Sequence, residues 1–214
     1  MEKTMKPLII IGCGPGDGDY LTAVARKAVA GAEVLVGADH LLALFPAVES
    51  RRIEVTGSMT AVLDQLEPLR ELQICILVSG DSGLFSLAQL VIGRFGRENC
   101  RVIPGISSVQ VAFSRLALSW NSALLISAHG RLPQQTTAEL SAYDRIALLA
   151  GDSAAINWTA DRLAELGDAY LVVSCENLTL DDETIRQFVT ADVLRRAAFP
   201  SRTVLLLLKK ELLT

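Results

Sequence analysis

Aromatic residues make up only 5% of this chain, although half of its residues are hydrophobic. The core must therefore be filled by Leu, Val, Ile and Ala, a composition that suits parallel strands buried between helices. Histidine is scarcer still. The two present, His40 and His129, are too few and too far apart to ligate a metal on their own, so no metal site and no zinc hydrolase is expected. The four cysteines, Cys13, Cys75, Cys100 and Cys175, form no CxxC pair and read as buried free thiols of a reducing compartment. Positive charge is not in excess: 20 Lys and Arg face 24 Asp and Glu, a net −4, which argues against a nucleic-acid surface. No apolar run approaches the roughly 20 residues that cross a bilayer. The run at 7–11 is too short for a secretory signal. These absences together predict a cytoplasmic protein with no membrane or nucleic-acid partner.

What is present is a regular alternation. Strand-length apolar runs occur at LIIIG (8–12), EVLVG (33–37), RRIEV (51–55), QICILVSG (73–80) and CRVIPG (100–105). Between them lie segments with helical spacing, such as Leu84, Leu87, Ala88 and Val91. This order predicts an α/β protein with a parallel sheet. A second strand set follows at ALLISA (123–128), RIALLA (145–150), YLVVSCE (170–176) and TVLLLLKK (203–210). Residues 178–188 read as a hairpin or a loop. The domain break is placed at 118–121, giving an N-terminal α/β domain (1–118) and a C-terminal α/β domain (119–214).

Three loops at strand ends carry the candidate chemistry. GCGPGDG (12–18) follows the first strand, where glycines permit a tight turn and close approach to the main chain. It is a poor dinucleotide fingerprint. Asp17 occupies the third glycine position, Pro15 removes an amide donor, and the second strand ends without a ribose-binding acid. A tight strand-to-helix turn accounts for it equally well. SGDSG (79–83) places Asp81 at a strand end, either to accept hydrogen bonds from a ligand or to cap a helix starting at Leu84. PGISS (104–108) sets Ser107 and Ser108 at a helix start.

These runs, GCGPGDGDYLT, VSGDSG and VIPGISSVQVAF, resemble the tetrapyrrole (corrin/porphyrin) methylase family over nearly the whole chain. The resemblance implies two α/β domains with S-adenosylmethionine bound in the cleft between them. It implies cofactor contacts at Pro15, Ser79, Gly80, Asp81, Leu84, Ser107, Ser108, Ala150 and Leu178. The usual Gly-Asp-Pro is departed from at Ser82, a change expected to loosen the turn. VGADHLLALFP and ISAHGR further resemble the members that methylate C5 of a precorrin or cobalt-precorrin in cobalamin synthesis. Such members imply a tetrapyrrole substrate and a homodimer, and in unfused cases a separate C15-methylating decarboxylase. A diphthine-synthase-like member and a methylase-like binding protein without activity are the alternatives.

The residues themselves show no catalytic acid–base set, and no GxSxG elbow marks a serine hydrolase. Methyl transfer from a sulfonium needs mainly proximity, so a dedicated base is not required. His129 and Arg131 are the substrate-side candidates: Arg131 to bind a carboxylate with two parallel hydrogen bonds, His129 to orient the macrocycle or carry a proton. A capping role for the pair is the plainer reading.

Overall fold

The computed structural model describes residues 5–128 and 130–213. By its internal contacts the chain forms two compact units, Met1–Ser107 and Ser108–Thr214.

In the first unit LIIIG forms β1 (Leu8–Gly12), and the chain continues through α1 (Ala23–Ala30), β2 (Val34–Gly37), α2 (Asp39–Leu42), β3 (Arg51–Glu54), α3 (Met59–Leu66), β4 (Ile74–Val78), α4 (Ala88–Phe95) and β5 (Cys100–Ile103). The strands lie in the order β3-β2-β4-β1-β5, and every pairing is parallel. All residues of β1, β2 and β4 are buried, because both faces of the sheet are covered. Alternate residues feed opposite cores. Ile10, Val36 and Ile76 pack with Leu63, Leu66 and Val91 of α3 and α4, whereas Ile11, Leu35 and Leu77 pack with Ala25, Val29 and Leu41 of α1 and α2. The Thr22 hydroxyl caps α1 by accepting the Ala25 N–H at 3.1 Å.

The second unit opens with α5 (Ser108–Arg115), then β6 (Leu124–Ser127), α6 (Thr137–Leu140), β7 (Arg145–Ala150), α7 (Ser153–Leu166), β8 (Tyr170–Glu176), β9 (Thr184–Phe188), α8 (Ala191–Arg196) and β10 (Thr203–Lys209). Its sheet runs β6-β7-β10-β8-β9. Only β6 and β7 are parallel; β10 lies between β7 and β8, antiparallel to both, and β9 returns antiparallel along β8. The alternation of strands and helices therefore gives a parallel sheet in the first unit and a mixed one in the second. The difference arises because β9 is a hairpin partner of β8 and runs in the reverse sense, a sense that β10 shares after the α8 crossover. One face, with Ile146, Leu148, Val172, Leu205 and Leu207, packs on Ala160 and Leu163 of α7 and Leu194 of α8. Helix α5 packs against β10 and so belongs with the second unit, whereas the sequence reading kept it with the first.

The described cysteines are all free: Cys13, Cys75 and Cys175 are buried and Cys100 is half-buried. Burial pushes the Cys13 and Cys175 thiols up to about 12 and Cys75 to about 11, so none is a thiolate near neutrality. Among the described residues no helix is long and apolar enough to cross a membrane, and no three metal-ligating side chains cluster.

Candidate active site

The three motif loops of the first unit meet where β1, β4 and β5 end. In open parallel sheets this is where ligands bind. The first two loops meet through backbone. Cys13 N–H donates to the Val78 carbonyl at 2.9 Å, and Gly14 and Gly80 exchange hydrogen bonds, 3.2 Å from Gly14 N–H and 2.8 Å from Gly80 N–H. The approach leaves no space for side chains. A Cβ on Gly105 would lie 2.3 Å from the Gly80 oxygen, and one on Gly12 would lie 2.5 Å from the Gly105 nitrogen. The glycine loop then enters a single 3-10 turn, Gly18–Tyr20, capped by Asp17, and α1 begins only at Ala23. No helix opens directly from the loop, as a dinucleotide fingerprint requires.

Asp81 holds the second loop to the third. Its Oδ1 accepts the Gly83 N–H at 2.8 Å and its Oδ2 accepts the Gly105 N–H at 3.1 Å. It does not cap a helix from Leu84. Phe85 takes a left-handed φ of 47°, which interrupts the helical run, and α4 starts at Ala88, whose N–H is accepted by the Ser86 hydroxyl. Ser82 is tied into the turn by its own hydrogen bonds. It is buried, its hydroxyl donates to the Ile103 carbonyl at 3.2 Å, and its own carbonyl accepts from the Ser86 hydroxyl at 2.5 Å. Around this frame Pro15 and Leu84 are half-buried, Ser79 is exposed, and Ser107 is buried directly after the PGI turn. Pro15, Ser79, Gly80, Asp81, Leu84 and Ser107 thus lie on three loops of one sheet end.

The remaining candidates fall in the second unit. Ser108 is the first residue of α5 and is half-buried. Ala150 ends β7, and Leu178 follows β8. Thr203, the first residue of β10, pairs with Ala150 on one side and Glu176 on the other, so both positions share one end of the sheet. Because β6 runs parallel to β7, the segment leaving β6 toward Arg131 starts from that end too, with Ala128 N–H donating to the Leu149 carbonyl at 3.0 Å. Arg131 is exposed. His129 lies outside the described residues. Ala150 and Leu178 are buried, at 1% and 4% exposure.

A family model described as Tetrapyrrole (Corrin/Porphyrin) Methylases matches residues 7–194. The chain belongs to this family. Among curated proteins, the cobalt-precorrin-7 C(5)-methyltransferase of Salmonella typhimurium is 30% identical, over 83% of this chain and 88% of that protein. Among solved structures, the precorrin-6Y methylase from Archaeoglobus fulgidus superposes with a TM-score of 0.73 at 26% identity, covering 95% of this chain and 98% of that one. A uroporphyrin-III C-methyl transferase from Thermus thermophilus, solved with S-adenosylhomocysteine, has the same fold at a TM-score of 0.76 and 18% identity, covering 94% and 97%.

Several residues that shape this methylase's strand ends carried no signal as such. Gly12 and Gly105 were visible as turn glycines, but not as the two points where loops touch. Ser82 reads as a departure from the family pattern, and its hydrogen bond to the Ile103 carbonyl leaves no trace in the sequence. The ion pair of Arg115 with Glu183, at 2.6 Å, joins residues far apart in sequence and had no local pattern to announce it.

Proposed function

We propose that this methylase transfers a methyl group from S-adenosylmethionine to C5 of precorrin-7 or cobalt-precorrin-7 in cobalamin biosynthesis. The observation that carries the proposal is the 30% identity, over 88% of its length, to the Salmonella enzyme that bears that activity in its name. The S-adenosylhomocysteine bound to the Thermus relative supports the choice of methyl donor.

When bound, S-adenosylmethionine would supply a methyl on a positively charged sulfur; that sulfur would leave as neutral S-adenosylhomocysteine and the proton displaced from the tetrapyrrole would pass to solvent. The chain's part is to hold the two reactants in line, which is worth roughly 7–11 kcal/mol when alignment is good. The residues of the first sheet end suit a ligand with both apolar and polar parts. Pro15 and Leu84 present half-buried apolar surface, and the exposed Ser79 offers a hydroxyl. Both Asp81 oxygens already accept backbone N–H groups, so Asp81 acts by fixing the loops around the ligand. Ser107, Ser108, Ala150 and Leu178 complete the proposed contact set. Arg131, exposed, suits a propionate or acetate side chain of the macrocycle. His129 is the proposed partner that orients the ring. A homodimer, a cytoplasmic location and a separate C15-methylating decarboxylase belong to the same proposal.

The test is direct. The purified protein is incubated with S-adenosylmethionine and cobalt-precorrin-7, and both S-adenosylhomocysteine release and the product's carbon spectrum are followed. One equivalent of S-adenosylhomocysteine with a new methyl on C5 is expected. Release with the methyl on another carbon, or no release, overturns the assignment.

A further inference from the structure

The loop between β8 and β9 is held in an unusual backbone. Asn177 and Thr179 take positive φ values of 46° and 72° although neither is glycine, and Leu178 between them is buried. Left-handed residues of this kind persist only where their surroundings over-determine them, and they concentrate at ligand-handling sites.

The turn is closed by Leu180 N–H donating to the Asn177 carbonyl at 2.9 Å, and further links hold it. Asn177 N–H donates to the Arg202 carbonyl at 2.9 Å. The Asn177 side-chain amide donates to Asp182 Oδ2 at 2.7 Å. Another link is the Glu183 carboxylate. Its Oε1 accepts from Arg115 Nε at 2.6 Å, and its Oε2 accepts from Arg115 Nη2 at 3.1 Å and from the Thr179 N–H at 2.6 Å. Arg115 is the last residue of α5, the helix that begins at Ser108. One two-pronged ion pair therefore couples the left-handed loop of Leu178 to the helix that carries Ser108.

We propose that the Arg115–Glu183 pair is a positioning clasp for methyl-donor binding, keeping the 177–179 backbone in the left-handed form that sets Leu178. The clasp rests on the reading of Ser108 and Leu178 as donor contacts. Its geometry argues for positioning over general stability. Ion pairs that are partly exposed, as here at 35% and 21%, contribute little to global folding. A guanidinium fork on a carboxylate fixes orientation in a way that a single contact does not. The backbone N–H that shares the carboxylate belongs to one of the two left-handed residues.

The experiment compares the full-length protein with Glu183→Gln and Arg115→Met, and uses Arg195→Gln as a control. Arg195 pairs with Asp161 between α8 and α7, elsewhere in the same unit. Calorimetry measures the Kd of S-adenosylhomocysteine, and hydrogen exchange follows the amides of 177–183. Both clasp variants should bind about tenfold more weakly. Exchange should quicken within 177–183 and stay unchanged in β7, β8 and β10, while Arg195→Gln keeps wild-type affinity. Wild-type affinity in both clasp variants overturns the clasp and leaves the donor assignment standing. Failure of the wild-type protein itself to bind overturns the donor assignment, and the clasp with it. Faster exchange throughout the sheet, with weakened binding in Arg195→Gln as well, overturns the positioning role in favour of general stability.

Discussion

The two sheet ends that carry the candidate residues are assembled by different means. At the first, loops from β1, β4 and β5 touch through main-chain atoms, with glycines at the points of contact and one carboxylate, Asp81, between them. At the second, a mixed sheet supplies strand ends of both directions, and a side-chain ion pair shapes the Leu178 loop. The comparison teaches that one end is specified by the absence of side chains and the other by a particular pair of them. The first should tolerate almost no substitution at its glycines. The second should bend, losing affinity before it loses its fold.

The sharpest way to break that contrast is Gly105→Ala. Its Cβ would sit 2.3 Å from the Gly80 oxygen and 2.6 Å from the Gly12 carbonyl carbon, with only backbone to give way. The expected cost is about 3 kcal/mol in a denaturant titration, with loss of S-adenosylhomocysteine binding. Gly130→Ala in the second unit is the counterpart. Its φ of 77° is unfavourable to alanine but nothing lies within 4 Å, so about 1 kcal/mol is expected. Equal costs at the two glycines would dissolve the comparison.

Asp81→Ala comes next. It leaves the Gly83 and Gly105 N–H groups without their acceptor and should cost about 2 kcal/mol, together with weakened donor binding. Unchanged affinity in this variant would remove Asp81 from the site. Arg131→Ala should leave the melting temperature alone, because the side chain is exposed, and raise the KM for the precorrin by about tenfold with kcat little changed.

The smallest effect is one of pH. Arg115 and the Thr179 N–H hold the Glu183 carboxyl below its ordinary value of 4.5. A depressed folded pKa means the unfolded chain takes up the proton first as the solution is acidified. The stability from this pair is therefore complete above 4.5 and is lost as the pH falls through the lower folded value. Glu183→Gln should flatten the acid limb of a stability–pH curve and lower its neutral plateau by the same small amount. An unchanged acid limb would show that the pair does not titrate with folding.

Much of the fold was legible because apolar runs bounded by glycine or polar residues leave few options. RIALLA and YLVVSCE become β7 and β8 with the same limits. Strand order was not legible: nothing in TVLLLLK marks it as the strand that slips between β7 and β8 in the reverse sense. Helix α4 was expected to start too early, because the spacing of Leu84, Leu87 and Val91 is helical while Phe85 is left-handed. The first sheet end was readable since glycine, proline and serine encode backbone shape locally. The Arg115–Glu183 pair was not, because an ion pair across distant segments leaves no periodic trace.

Calorimetric titration of the intact protein with S-adenosylhomocysteine, with NAD as the control, bears most directly on the account. It predicts about one site per chain for S-adenosylhomocysteine and none for NAD. Binding of NAD with no uptake of S-adenosylhomocysteine would contradict it, and would return the loop at 12–18 to a dinucleotide role.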